Sequence, residues 1–74
     1  MKETIYIKLL GEGTLVYRPV PATKIDEITY KIEGDEIHDP DDEEWEFLPK
    51  SIVHVEEKEL EGNIVLVAIN QKKS

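Results

Sequence analysis

Eight of the seventeen carboxylates in this chain fall within residues 35–46: Asp35, Glu36, Asp39, Asp41, Asp42, Glu43, Glu44 and Glu46. No Lys or Arg lies between Lys31 and Lys50 to neutralise them. A run this dense has three uses in protein chemistry: chelating a cation, supplying acid and base groups, or facing a basic surface. Spacing tests the first. Asp39, Asp41 and Glu43 alternate like the first ligands of a helix-flanked calcium loop. The sixth position is then Glu44, where the sharp turn needs glycine, and the twelfth is Lys50, where a bidentate glutamate belongs. The cluster of residues 39–46 therefore assigns no metal site and no cofactor. A divalent-cation-binding protein that chelates loosely through it stays as an alternative.

Catalytic groupings are sparse. There is no cysteine, and Ser51 and Ser74 are the only serines. His54 follows Ser51 by three residues, across the start of a strand, which does not bring hydroxyl and imidazole together. His38 sits among acids, where it balances charge. Paired carboxylates for glycoside chemistry need a fixed separation and a pocket, and a solvated loop provides neither. The chain reads as a non-enzyme with no catalytic residues.

Recognition has more support. Unpaired carboxylates must stay hydrated, yet the run leads into Trp45, Phe47 and Leu48, which favour burial. The picture is a solvated loop pinned at one end by an aromatic plug, with Trp45 serving as core or lid. Tyr17, Arg18, Asp41, Asp42, Glu43 and Trp45 form the candidate binding surface, provided the strand carrying Tyr17 neighbours the one after the loop. An aromatic groove beside acids is the arrangement that grips proline-rich segments bearing a basic residue. The partner is then an unidentified protein, basic or proline-rich. A further alternative is an acidic blocker that covers a basic, nucleic-acid-binding partner surface.

The elements that must position these residues follow a period of two. Ile5, Ile7 and Leu9 alternate with Tyr6, Lys8 and Leu10 as a first strand. A glycine turn at Gly11 and Gly13 leads to a second strand over residues 15–22, with Val16, Val20 and Ala22 in phase. Pro19 and Pro21 lack the N–H that a ladder needs, so they mark a sheet edge or a bulge. A third strand spans residues 27–33, with Ile28, Tyr30 and Ile32 on one face. Trp45 and Phe47 share a face of a short extended piece, and residues 48–51 make a tight 3₁₀-like turn. A strand over residues 52–57, a hairpin signal at Glu61-Gly62-Asn63 and an apolar strand over residues 64–69 complete the chain. No segment carries a helical stripe.

Residues 1–70 read as a single domain and residues 71–74 as a frayed tail. Seventy-four residues with no cysteine must rely on an apolar core. A small sheet with two apolar faces hides them by curling. The expected fold is all-β: a small SH3-like, partly open barrel of five or six short antiparallel strands, with one long acidic loop. An OB-like barrel is the alternative.

A net charge of −8 opposes binding to nucleic acid, whose phosphates require a cationic face. It opposes anionic membranes equally. The longest apolar run, residues 64–69, is too short to span a bilayer. No stretch resembles a signal peptide. The expectation is a cytoplasmic monomer.

Two segments resemble a known group. Gly13-Thr14-Leu15-Val16-Tyr17-Arg18-Pro19-Val20-Pro21-Ala22 is similar to a G-T-x-V-[YW]-R-P-V-x-A pattern. Asp39-Pro40-Asp41-Asp42-Glu43-Glu44-Trp45-Glu46-Phe47-Leu48-Pro49 is similar to D-P-x-D-E-x-W-E-F-x-P. Together they resemble a group of small uncharacterised bacterial proteins. The resemblance implies a small SH3-like barrel and brings no activity or catalytic residue with it.

Overall fold

A computed structural model describes residues 2–11, 13, 16–34, 36–37, 41 and 44–72. Six strands form: β1 (Lys2–Leu10), β2 (Tyr17–Asp26), β3 (Thr29–Ile32), β4 (Glu44–Trp45), β5 (Ile52–Leu60) and β6 (Asn63–Gln71). They join in the order β2-β3-β5-β6-β1-β4, and β2 also pairs with β1. Five strands therefore close a ring, and β4 lies on its rim. This is the all-β, partly open small barrel that the period-two patterning predicts, with no helix among the described residues.

Two details depart from expectation. Four of the strands are nine or ten residues long, not short. The closing seam, β1 against β6, is parallel, although every strand was expected to be antiparallel. The reason is arithmetic. Five strands that each reverse the direction of the one before bring the fifth back parallel to the first. One bridge, Tyr6 to Val67, carries that seam, and the ring is only partly closed there.

The inner rows explain the fold's stability. Ile5, Ile7 and Leu9 of β1 face Val20 and Ala22 of β2, Tyr30 and Ile32 of β3, Val53 and Val55 of β5, and Ala68 of β6. Each fully buried aliphatic side chain contributes on the order of 1.5–3 kcal/mol. Trp45 joins this cluster at 2% exposure, paired with Leu9 through β4. The aromatic is thus core and not a surface lid. Phe47 packs half-buried against the same cluster.

The prolines sit on an edge only locally. β2 is flanked by β1 and β3, but its ladder to β3 begins at Ala22. Pro21 O accepts a hydrogen bond from Glu33 N on the β3 side, so the pyrrolidine nitrogens of Pro21 and Pro19 also point that way, where β3 does not reach. The missing N–H groups cost no ladder bond.

The third strand starts later than predicted. Asp26 pairs with Thr29 around a Glu27-Ile28 turn, and a bulge at Ile25 shifts the register. The Asp26 carboxylate accepts the Ile28 N–H at 3.0 Å, a side-chain bond that stabilises the turn in place of two more strand residues. Ile28 is consequently 56% exposed, out of phase with Tyr30 and Ile32.

Residues 48–51 make a tight turn, closed by Ser51 N donating to Leu48 O at 3.2 Å. Its third residue, Lys50, has φ 75°, so the turn is type II, not the predicted 3₁₀. Pro49 fits its second position. The predicted hairpin forms as a two-residue turn between Leu60 and Asn63. Glu61 (φ 51°) and Gly62 (φ 85°) give it the type I′ form, whose twist matches that of the strands. Residues 71–72 are less free than a frayed tail. Gln71 pairs with Val53, and Lys72 N donates to Ile52 O at 2.7 Å.

Candidate functional site on the outer face

The predicted binding residues divide between the two sides of β2. Tyr17 pairs with Lys8 and Arg18 with Ile7. Ile7 is core, so Arg18 stands half-buried in the inward row with Val16, Val20 and Ala22, its Nε buried. Tyr17 points outward. Trp45 lies inside, beyond reach of a ligand on Tyr17's face. Asp41 is exposed. Arg18, Asp41, Trp45 and Lys50 each make a hydrogen bond, ion pair, ring contact or other electrostatic interaction. Asp42 and Glu43, with Asp35 and Asp39 of the acidic run, lie outside the described residues. Among the described four, Tyr17 and Asp41 are therefore on the outside while Arg18 and Trp45 turn inward.

The structure assembles another surface. Tyr6 and Val67 are bridge partners on the outside of the ring, and Tyr6 also faces Pro19 across the β1–β2 ladder. Val67 is 2% exposed although it lies outside the interior cluster. The β5–β6 hairpin carries Leu60 and Asn63 to this face, where Tyr6, Tyr17, Leu60, Glu61 and Asn63 line a cleft of about 260 Å³. On the other side of Tyr17, a cleft of about 380 Å³ is lined by Lys8, Tyr17, Glu46, Lys58, Val67, Ala68 and Ile69. Tyr17 is the wall between them. Tyr6 and Tyr17 are both half-buried, and each combines an apolar ring with a hydroxyl able to donate or accept.

Glu46 reaches this face because its N–H donates to Lys8 O at 2.9 Å, extending the β4 pairing by one residue. One carboxylate next to the acidic loop is thereby placed beside two lysines. The sequence reading counted Tyr6 among the aromatics available to a groove but singled out neither Lys8 nor Leu60 nor Lys58, which line these clefts. The signal was present in the outward phase of β1, where Tyr6, Lys8 and Leu10 alternate with the core row. It gained meaning only once the hairpin was known to lie beside it.

Elsewhere the chemistry is thin. Alternation turns Ser51 and His54 to opposite faces. His54 pairs with Thr29 and Asn70. Thr29 is buried and its hydroxyl bonds Asp26, whose pKa is lowered below its ordinary 3.8 mainly by that bond and next by the Ile28 N–H. Among the described residues no group of three or more His, Cys, Asp or Glu side chains is placed to hold a metal ion. No described helix is long and apolar enough to cross a membrane. No protein-family model, curated protein or solved structure matches the chain.

Proposed function

We propose that this chain is a non-catalytic interaction module that binds an extended, proline-containing segment of a partner protein on the outer face of β1 and β2. The observation that carries the reading is the Tyr6–Tyr17 cleft: two half-buried tyrosines that line one opening together with Leu60, Glu61 and Asn63. Tyrosine pairs of this kind hold polyproline II segments, whose rings fit between aromatic walls and whose backbone carbonyls accept from the hydroxyls. A carboxylate at the end of the groove selects a basic residue on the ligand. Net charge −8 supports attraction of a basic partner over long range and disfavours nucleic acid. The reading fits a monomer acting in the cytoplasm.

Fluorescence anisotropy with a labelled Arg-Pro-rich peptide tests this. Saturable binding that Tyr6→Ala and Tyr17→Ala each weaken by about tenfold or more is expected, since central aromatics dominate such contacts. Binding that survives both changes, or an affinity confined to calcium or manganese, would reject the reading.

A further inference from the structure

We infer that the second cleft, beyond Tyr17, is a carboxylate-binding subsite for the same partner segment, so that the module selects ligands carrying a basic and an acidic residue at a fixed separation. The inference rests on the Tyr6–Tyr17 reading and adds to it.

The argument starts from charge. The protein has nine Lys and Arg against seventeen acids, yet two of the seven side chains lining this cleft are lysines, Lys8 and Lys58. They come from different places in the sheet. Lys8 lies on β1 opposite Tyr17, and Lys58 on β5 opposite Val65. Two lysines lining one cleft with the apolar Val67 and Ile69 give a cationic side to Tyr17, whose other cleft holds Glu61. Glu46 shares the lysine cleft and leaves it net positive by one charge, enough for one carboxylate. The groove is thus polar along its length, and Tyr17 stands at the middle.

The separation follows from strand geometry. Lys58 and Glu61 are three residues apart on the hairpin, about 10 Å at the rise of a strand. A polyproline II ligand advances about 3.1 Å per residue, so its acidic and basic residues belong about three positions apart. The acidic group is a side chain rather than a chain terminus, because both clefts border the same Tyr17 wall and one continuous segment spans them.

The probes are synthetic peptides sharing an Arg-Pro-Pro-Glu core between proline flanks, compared with Arg-Pro-Pro-Gln and with Arg-Glu-Pro-Pro, and with reversed copies of each. Isothermal titration at low salt is expected to show the Glu peptide of one chain direction binding about fivefold tighter than its Gln partner, the upper range for one solvent-exposed charge pair. The gain should vanish in a Lys8→Gln, Lys58→Gln variant, to which the Glu and Gln peptides should bind with equal affinity. Equal affinity for Glu and Gln peptides in both directions, a gain that persists without the lysines, or an equal gain from the adjacent spacing overturns the subsite alone. Failure of every peptide to bind overturns the Tyr6–Tyr17 reading itself, and the subsite with it.

Discussion

Lys8 and Tyr17 face each other across the β1–β2 ladder, and both line the same outer cleft. Their neighbours in sequence, Ile7 and Arg18, form the next ladder pair and turn inward. One residue of register therefore decides whether an aromatic meets solvent or core. Truncating the outward residue should separate binding from folding. Tyr17→Ala should lower peptide affinity by about tenfold or more, while Arg18→Ala should change it less than twofold and act instead on stability. Anisotropy and urea denaturation on the two variants check this division.

Trp45 is a core residue held at the rim by only a two-residue strand. Trp45→Ala should destabilise the protein by about 3–5 kcal/mol through lost burial and the cavity left behind. Chemical denaturation measures it. A cost below about 1 kcal/mol, the usual range for surface changes, would return Trp45 to the surface.

Two turns hold non-glycine residues at left-handed φ, Lys50 and Glu61. Such conformations cost roughly 1 kcal/mol for ordinary side chains. Lys50→Gly and Glu61→Asn should each raise stability by about 0.5–1 kcal/mol, Asn-Gly being the favoured type I′ pair. Thermal melts report the gain, and Gly62→Ala, which forces the opposite change in the same hairpin, should lower the midpoint.

Asp26 gives the fold an acid-sensitive turn. Its pKa is lowered in the folded state by the Thr29 hydroxyl and then by the Ile28 N–H. A lowered folded pKa means that the unfolded chain takes up the proton first. The turn's contribution is therefore present above the ordinary value of 3.8 and is lost as pH falls through the lower folded pKa. Asp26→Asn should flatten the stability profile in that acid window. Thr29→Val should bring the Asp26 titration, followed by NMR, back toward 3.8.

The inner half of this fold is legible in the sequence because polar residues separate its core positions. Ile5, Ile7 and Leu9 could only be one buried row, and Glu61-Gly62 could only be a turn between strands. Where both phases of a strand are apolar, alternation tells which residues share a face but not which face is inside. Val67 is accordingly buried on the outer side, while Ile64, in phase with the core residue Ala68, is 65% exposed because it lies next to the Leu60–Asn63 turn. Ile28 was misplaced for another reason: the Asp26 side chain competes for its N–H, a local bond that hydrophobic periodicity does not register. The outer face proposed for binding was hardest to read. It depends on a parallel seam between the first and last strands, which brings Tyr6 to Val67 across sixty-one positions of sequence.

The most direct test of the central claim is an NMR titration of the isotope-labelled protein with the Arg-Pro-Pro-Glu peptide, mapping backbone amide shifts. The outer-face account predicts saturable changes clustered at Tyr6, Lys8, Tyr17, Lys58, Leu60, Glu61 and Val67, with Ile25, Thr29 and Lys72 on the other side of the ring unmoved. Shifts centred instead on Asp41 and Leu48, or no saturable shift at any residue, would contradict it.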